Sequence, residues 1–287
     1  MRNVPKSALI TDVDNTLFDW LDVWYKSFSS MISTAANISN IPVELLYSSV
    51  AKIHQKYGTS EYAFLLEEIP EFNDLYGDRV LDHLFPAIEA YRNARKAALR
   101  LYPQVLETLQ YLSSRKIVIV AYTESLSFYT NYRFRKLGLD RYIDYLYSPP
   151  DHLLPSRDIG KIRKYDDAHY RLERTQHRFT PEGEIKPNPH ILLSIMHEIG
   201  VDPEQAVYVG DSPMKDIAMA QEAGVLDALA LYGKSQHRDQ YDLLRKVTHW
   251  TAEDVARERI ILEGRQVVPT VTLDRDFSQI LPLFGKV

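Results

Sequence analysis

Short, almost continuously apolar stretches alternate with amphipathic stretches through much of the chain. Four of the apolar stretches end in polar residues, and a fifth candidate follows the second of them; they span residues 8–14, 116–125, 206–212 and 226–233, with the fifth at 143–150. Such runs are typical of strands buried on both faces of a parallel sheet. Helical spacing between them predicts helices over residues 103–115, 127–137, 189–199 and 214–223. The alternation favours an α/β fold with an open, doubly wound parallel sheet.

Residues 17–100 break this alternation. They contain several helical patterns and no good strand, and Trp20, Trp24 and Phe28 recur at helical spacing. We therefore expect a second, smaller, all-helical domain over residues 17–100, inserted after the first strand. Residues 1–16 and 101–287 would together form the α/β core domain.

Two further segments are less regular. Residues 151–183 are rich in both Arg/Lys and Asp/Glu and poor in aliphatic residues, which predicts a solvated surface insertion with a short helix near residues 165–176. Towards the end of the chain, the segment Thr251-Ala252-Glu253-Asp254 is typical of a capped helix start. Residues 277–283 predict a last helix that packs on the sheet.

The composition is that of an ordinary globular protein. Of 287 residues, 45% are apolar and 25% charged, and the net charge of −5 indicates no nucleic-acid or membrane partner. The absence of cysteine excludes disulfides, thiolate catalysis and cysteine-ligated metal sites. No apolar stretch has the length of a membrane-spanning helix, and the N-terminal segment lacks a signal-peptide pattern. We expect a cytoplasmic protein, and the oligomeric state stays open.

Polar residues follow the predicted strands where each strand ends, and a lysine precedes the helix that leads into the strand at 206–212. These residues are Asp12 and Asp14, Thr123 and Glu124, Asp211, Ser212 and Asp216, and Lys186. Because a doubly wound sheet binds ligands beyond the carboxyl ends of its strands, we expect them to face one crevice. Two acids one residue apart need either a bound cation or a shared proton. Carboxylate oxygens suit Mg²⁺.

Four segments carry a family resemblance. DVDNT (12–16), VAYTES (120–125), IKPNP (185–189) and GDSPMKD (210–216) resemble, in order and position, the motifs of the haloacid dehalogenase-like (HAD) hydrolase superfamily. The resemblance covers about residues 7–17 and 100–233, and the helical insertion resembles the C1-type cap of the phosphatase-like branch. It implies a Mg²⁺-dependent phosphomonoester hydrolase that cleaves a small phosphorylated metabolite through an aspartyl-phosphate.

The resemblance also implies residue roles. Asp12 would be the nucleophile and a metal ligand. Asp14 would be the general acid and base, and its backbone carbonyl would bind the metal. Asp211 would be the main side-chain metal ligand. Lys186 would neutralise the nucleophile and the phosphoryl charge, while Thr123 would donate a hydrogen bond to a phosphoryl oxygen.

The remaining candidates either support the residues above or differ from the residues that are usual in the family motifs. Thr16 would fix the first-motif loop, and Asp216 would support Lys186 or the waters of the metal. Asn15 stands where glycine is usual, and asparagine tolerates the positive φ that this turn needs. Glu124 stands where many relatives have asparagine. We expect Glu124 either to pair with an arginine of the 151–183 insertion or to contact substrate. The alternative is that it faces solvent or caps the following helix. Asp19 is a weaker candidate for substrate contact.

Other functions stay open at this stage. A phosphomutase keeps all four motifs, so the sequence does not exclude one. A phosphonate hydrolase needs a lysine in the cap, for which Lys26 and Lys52 are available without supporting context. Asp14 argues against a dehalogenase, which needs no metal-binding acid there. A non-catalytic binding module is disfavoured because the nucleophile, the acid, the lysine and the metal aspartate are all present.

Overall fold

A computed structural model describes residues 4–156, 159–250 and 267–285. Its seven strands form one sheet in which all neighbours are parallel. The strands are β1 (Ala8–Thr11), β2 (Val118–Tyr122), β3 (Tyr145–Ser148), β4 (Gln176–Phe179), β5 (Ala206–Gly210), β6 (Leu226–Ala230) and β7 (Val271–Leu273). Their order is β4-β3-β2-β1-β5-β6-β7. The order reverses beside β1, which lies between β2 and β5, and this places the ligand-binding crevice at the carboxyl end of β1.

Twelve α-helices accompany these strands in the described part of the chain. They are α1 (Trp20–Ser39), α2 (Val43–Tyr57), α3 (Leu65–Glu68), α4 (Pro70–Tyr76), α5 (Val80–His83), α6 (Phe85–Ala98), α7 (Val105–Ser114), α8 (Ser127–Leu137), α9 (Asp167–Tyr170), α10 (Pro189–Ile199), α11 (Ala218–Glu222) and α12 (Gln240–Val247). A single π-helical turn covers Pro213–Ile217. Tighter 3₁₀ turns cover Gly77–Arg79, Leu139–Arg141, Pro203–Gln205, Leu231–Gly233 and Phe277–Phe284.

The sequence explains where the best-defined helices begin and end. The side chain of Asn188 accepts a hydrogen bond from the backbone N–H of Ile191, and Pro189 opens α10. Gly200 then ends this helix in the left-handed conformation, with φ of 71°. Both features are typical helix boundaries, so α10 begins and ends at the residues that the sequence predicts.

Both faces of the sheet are buried. Alternating residues of the central strands, such as Leu9 and Ile119, pack on one face with α7 and with Phe277 and Ile280 of the last 3₁₀ helix. The other residues, such as Ile10, pack with α10 and α11. Burial on both faces explains why these strands are almost continuously apolar. The α/β fold with a doubly wound parallel sheet is confirmed.

The helices α1 to α6 lie between β1 and β2 in the chain and share a hydrophobic cluster of their own. Within it the rings of Trp24 and Phe28 stack with centroids 5.1 Å apart. Three residues of α12, from the other end of the chain, belong to the same cluster: Tyr241, Leu244 and Val247. The division into domains at residues 16/17 and 100/101 stays a prediction.

The 151–183 segment departs from its expectation in one respect. The helix expected near residues 165–176 is limited to α9, and the following residues form β4, which extends the sheet beside β3. β4 has the sequence QHRF and lies at the edge of the sheet, where strands need not be apolar. β7, at the opposite edge, was not predicted either.

The helix start predicted at residues 251–254 lies outside the described residues. Within the described ranges, none of the helices combines the length and the apolar character that crossing a bilayer requires.

Candidate active site

Asp12 lies directly after β1 and is nearly buried. Its Oδ1 is 2.6 Å from Nζ of Lys186, and its Oδ2 accepts a hydrogen bond of 3.1 Å from the hydroxyl of Thr16. Burial raises the pKa of Asp12 to about 7; Lys186 opposes this shift, while Asp216 and Asp14 add to it. Additional positive charge would therefore keep this carboxylate ionised at neutral pH.

Lys186 is buried between two carboxylates. Besides Asp12, its Nζ contacts Oδ1 of Asp216 at 3.0 Å. Asp216 is held in turn by the hydroxyl of Tyr208 at 2.9 Å and by the backbone N–H of Ser212 at 3.1 Å. Burial alone would lower the pKa of Lys186, but Asp12 and Asp216 hold that pKa well above its ordinary value. The lysine is therefore a fixed cation beside Asp12.

Asp14 faces different partners from Asp12. Its Oδ2 accepts hydrogen bonds from the hydroxyls of Thr123, at 2.9 Å, and Ser125, at 2.7 Å. Its Oδ1 is 3.5 Å from a guanidinium nitrogen of Arg133. Burial raises the pKa of Asp14, and Arg133 opposes this. A raised pKa suits a carboxyl group that must carry and donate a proton.

A turn that begins at Asn15 connects Asp12 and Asp14 with residues 17–100, the helical segment that contains α1 to α6. Asn15 has a φ of 59°. Glycine adopts positive φ values easily, and asparagine tolerates them better than most other residues. The side-chain carbonyl of Asn15 accepts a hydrogen bond of 3.1 Å from the backbone N–H of Leu21. The turn therefore forms with asparagine in place of glycine, as predicted.

A group of three acids could hold a metal ion. Asp12, Asp211 and Asp216 each offer an oxygen, and these oxygens lie within 4.8 Å of one another. Burial, with the charges of Asp12 and Asp216, raises the pKa of Asp211 well above its ordinary value. The Asp211 carboxylate forms no hydrogen bond or ion pair with residues in the described ranges. A half-buried carboxylate without a partner, beside two others, fits a hard cation such as Mg²⁺.

This group differs in one member from the metal ligands that the sequence predicts. Asp216 is present in it, whereas the side chain of Asp14 is not. The resemblance assigned the backbone carbonyl of Asp14, rather than its side chain, to the metal. The roles of the individual residues stay predictions.

Two glycines allow the motif segments to approach each other closely. A Cβ added to Gly210 would lie 2.3 Å from Cγ of Asp216, and one added to Gly233 would lie 1.7 Å from the carbonyl oxygen of Asn15. Any side chain at these positions would displace the segments that present the acids. The 3₁₀ turn Leu231–Gly233, which follows β6, is therefore packed directly against the first-motif turn.

Glu124 has partners that the sequence did not predict. Its Oε1 accepts a hydrogen bond of 2.9 Å from the backbone N–H of Lys186, and its Oε2 is 2.6 Å from Nζ of Lys215. Burial would raise the pKa of Glu124, but Lys215 and Lys186 hold it below its ordinary value. Among the described residues, no arginine of the 151–183 insertion pairs with Glu124, and both of its oxygens are engaged by Lys186 and Lys215. A contact of Glu124 with substrate stays a prediction.

Asp19 is engaged by the protein itself. It caps α1 by accepting a hydrogen bond from the backbone N–H of Asp22, and both of its oxygens lie 2.8 Å from the same nitrogen of Arg238. A contact of Asp19 with substrate also stays a prediction. Lys26, a candidate for a phosphonate hydrolase, is about half exposed and forms an ion pair with Asp22 at 2.7 Å.

Arg133 and Glu61 were missed by the sequence analysis. Arg133 is 1% exposed, and it forms ion pairs with Asp14 and with Glu61, which lies between α2 and α3. The sequence pattern of α8 could have revealed Arg133, because this arginine falls on the same buried face of the helix as Thr130 and Phe134. An arginine on the apolar face of a helix predicts a buried acidic partner.

Comparisons with known proteins identify the family. The chain matches the model of the haloacid dehalogenase-like hydrolases over residues 6–224, and it therefore belongs to this family. This confirms the resemblance carried by the four motifs and makes the protein a hydrolase.

Named relatives cover different shares of the chain. A glyceraldehyde 3-phosphate phosphatase of Methanopyrus kandleri is 26% identical over 237 residues, which is 80% of this chain and 85% of that protein. A phosphoglycolate phosphatase of Xylella fastidiosa is 34% identical over 88 residues, which is 31% of this chain and 35% of that protein. The crystal structure of a 2-haloacid dehalogenase from Pseudomonas syringae aligns with a TM-score of 0.52 at 17% identity, covering 98% of each chain. This last likeness concerns the fold alone.

Proposed function

We propose that the protein is a Mg²⁺-dependent phosphomonoester hydrolase that acts on a small phosphorylated metabolite in the cytoplasm. The observation that carries the proposal is the contrast between two acids at the end of β1. Burial raises the pKa of both acids, but Asp12 is paired with the cation Lys186, whereas Asp14 accepts hydrogen bonds from the hydroxyls of Thr123 and Ser125. This arrangement provides one nucleophile and one proton donor.

The first half-reaction would form an aspartyl-phosphate. An oxygen of Asp12 attacks phosphorus, the bond between phosphorus and the alcohol oxygen breaks, and Asp14 donates its proton to that oxygen. Thr16 and Lys186 hold the attacking carboxylate in place. Lys186 also offsets the negative charge that develops on the phosphoryl oxygens.

The second half-reaction would release phosphate. Asp14, now ionised, takes a proton from a water molecule whose oxygen attacks phosphorus, and the bond from phosphorus to Asp12 breaks. Asp12, Asp211 and the backbone carbonyl of Asp14 would hold Mg²⁺, which when bound supplies Lewis-acid stabilisation and orients the phosphoryl group.

The relatives support the substrate class. Two proteins with detectable similarity are phosphatases of three-carbon and two-carbon metabolites by name, glyceraldehyde 3-phosphate and phosphoglycolate. Both substrates are small organic phosphate esters, as the proposal requires. The larger of the two matches extends over most of both chains.

Hydrolysis of p-nitrophenyl phosphate and of a panel of metabolite phosphates tests the proposal. We expect turnover with Mg²⁺, loss of turnover in EDTA, and at least about a thousandfold loss in Asp12→Asn, because the amide is not a nucleophile. Asp202→Asn, which changes an exposed helix-capping acid, is the matched control. No hydrolysis of any phosphate by the wild type, or turnover that survives Asp12→Asn, would contradict the proposal.

Oxygen labelling distinguishes the two ways of resolving a covalent aspartyl intermediate. If water attacks phosphorus, turnover in H₂¹⁸O places the label in the released phosphate and leaves Asp12 unlabelled. If water attacks the carboxyl carbon, as cleavage of a carbon ester requires, the label enters Asp12. Mass spectrometry of phosphate and of the peptide containing Asp12 would separate these outcomes.

A further inference from the structure

A cavity of about 340 Å³ lies among α1, α6, α8 and the segment between α2 and α3. Glu61 forms part of its wall, whereas neither Asp12 nor Asp14 lines it. Glu61 is paired with Arg133, and Arg133 contacts Asp14. This ion pair therefore connects the cavity wall with the proposed proton donor.

Arg95, on α6, is a cation of the cavity wall without an acidic partner. Its guanidinium carbon lies 4.1 Å from the centre of the Tyr132 ring, 5.7 Å from that of Tyr129 and 5.3 Å from that of Tyr91. Its Nε is buried and has no hydrogen-bond partner, and no carboxylate pairs with it, among the residues that the structure describes. The tyrosine rings compensate the positive charge only in part.

The acids around the cavity do not neutralise Arg95. Three acids line the cavity: Glu61 is engaged by Arg133, Glu89 is engaged by Arg92, and Glu67 forms no ion pair with Arg95 among the described residues. Three lysines also line the cavity: Lys96, Lys136 and Lys164. The wall thus carries more positive than negative charge, and a guanidinium favours carboxylate or phosphate because it can donate two parallel hydrogen bonds.

Arg95 and Arg133, the arginine that contacts Asp14, share an aromatic neighbour. The guanidinium carbons of Arg95 and Arg133 lie 5.7 Å and 5.8 Å from the centre of the same ring, that of Tyr129. One aromatic ring therefore links the unpaired cation with the arginine that contacts Asp14. A molecule that occupied both the phosphoryl site and the cavity would lie beside Arg95, which forms part of the cavity wall.

We infer that this cavity receives the alcohol part of the substrate and that Arg95 binds a second anionic group there. The substrate class would then be a phosphomonoester with a carboxylate at its far end. This inference rests on the proposed phosphatase function and adds to it the chemistry of the leaving group. Arg95 acts in binding and specificity and takes no part in bond cleavage.

A matched series of substrates tests the inference. The series contains ω-carboxyalkyl phosphates with two to five carbons in the acid chain, each compared with its neutral ω-carboxamide. At one chain length or more, the wild type should hydrolyse the acid with a kcat/KM at least about tenfold higher than the amide. Arg95→Met should abolish this preference by weakening hydrolysis of the acid alone, and Arg95→Lys should retain part of it.

Controls separate this result from a general loss of charge or of fold. Arg100→Met removes an exposed positive charge just after α6 and should keep the full preference. Circular dichroism and the melting temperature of Arg95→Met, compared with those of the wild type, would show that the variant is folded. An equal kcat/KM for acid and amide at every length in the wild type, or a preference that survives Arg95→Met, would overturn the inference.

A binding measurement distinguishes failure of this inference from failure of the proposed function. Calorimetric titration of Asp12→Asn with the same acids and amides requires no turnover. Tighter binding of an acid that is lost in the double variant Asp12→Asn/Arg95→Met supports the anion site even if hydrolysis is absent. Equal affinities for acid and amide, together with hydrolysis of the amides by the wild type, would overturn the anion site and leave the phosphatase proposal intact.

Discussion

Asp12 and Asp14 are one residue apart in sequence but differ in the charges that face them. Lys186 lies 2.6 Å from Asp12, whereas the nearest cation to Asp14, Arg133, lies 3.5 Å away and is shared with Glu61. The charge of Lys186 thus acts directly on Asp12 in favour of its ionised form, whereas the charge of Arg133 is divided between Asp14 and Glu61; burial raises the pKa of both acids. The division of roles that we propose would therefore arise from the neighbours that the fold brings to two chemically identical side chains.

The crowding of Asp211 by two other carboxylates predicts how its substitution changes stability and the response to Mg²⁺. Its carboxylate is close to two others, so Asp211→Asn should stabilise the metal-free protein by about 1 kcal/mol, a rise in melting temperature of roughly 2–4 °C. The same substitution should remove most of the stabilisation by Mg²⁺, because a cation ligand is lost. Thermal unfolding in EDTA and in excess Mg²⁺ measures both effects.

The control for this measurement is Asp202→Asn, for which neither effect is expected. A fall in melting temperature in EDTA would show that Asp211 stabilises the fold rather than opposing it. An undiminished response to Mg²⁺ would show that the ion binds elsewhere.

Residue chemistry could be predicted where a motif specifies it, and less well where a partner comes from a distant segment. The sequence placed Asp12, Lys186 and Asp211 in one crevice, and the structure brings them together. It did not reveal that Glu124 meets Lys215, because the pairing of two side chains 91 positions apart depends on the packed loops. Glu61 was missed for the same reason, since nothing in its own segment indicates Arg133.

At the scale of elements, His54 joins α2 to the end of α12. Its Nδ1–H donates to the carbonyl oxygen of Val247 at 2.5 Å, and its ring packs at an angle against Phe28. Burial lowers the pKa of His54 to about 4, an effect that His249 increases and that the hydrogen bond to Val247 opposes. The imidazole therefore stays neutral in the folded protein at pH values where it is protonated in the unfolded chain.

This histidine predicts a pH dependence of stability. The pKa of His54 is lower in the folded than in the unfolded chain, so its contribution is complete above pH 6.5 and is lost as the pH falls towards 4. Between pH 7 and pH 5 the wild type should lose about 2 kcal/mol more unfolding free energy than His54→Asn, which keeps a donor but does not titrate. Urea unfolding at both pH values measures the difference, and equal losses in the two proteins would exclude His54 as the cause.

Elements were predictable from sequence to the extent that burial controls their pattern. The strands of the sheet centre, buried on both faces, were recognised from continuous apolar runs, whereas the edge strands β4 and β7 were not. An edge strand buries less surface, and QHRF or VTL is too short and too mixed to show a pattern. The contact of α12 with α1 and α2 was also not predicted, because an apolar stripe shows that a helix is buried but does not identify the surface that covers it.

At the scale of the whole molecule, residues far apart in sequence complete the core of the helical segment. Leu244 of α12 is 1% exposed and lies in the cluster formed by α1 to α6. Leu244→Ala should therefore lower the unfolding free energy by about 3 kcal/mol. Leu45→Ala, in α2, is the matched control, because Leu45 is 62% exposed and should change it by less than about 0.5 kcal/mol.

Denaturant unfolding followed by tryptophan fluorescence measures this effect, since Trp20 and Trp24 lie in or against the same cluster. A loss for Leu244→Ala no greater than for Leu45→Ala would show that α12 adds little to the stability of the helical segment.

The position of α12 also affects how the helical segment can move. The chain enters and leaves the helical segment, residues 17–100, at two connections that lie side by side. Phe18 forms a β-bridge with Leu101 there, and the backbone N–H of Tyr102 donates a hydrogen bond to the carbonyl oxygen of Leu17. If these two adjacent connections were the only links, the helical segment could rotate about them relative to the sheet, as at a hinge. The chain then returns to this segment at α12, only a few residues after Gly233, whose backbone packs against the first-motif turn at Asn15.

Rotation of the helical segment would therefore either detach α12 or displace the residues that connect it to Gly233. The same residues adjoin the turn that presents Asp12 and Asp14. We expect the angle of the helical segment and the affinity of the site for a cation to be thermodynamically linked through this one stretch of backbone. Linkage is reciprocal, so a cation that favours one angle must itself bind more tightly, by the same factor, when that angle is adopted.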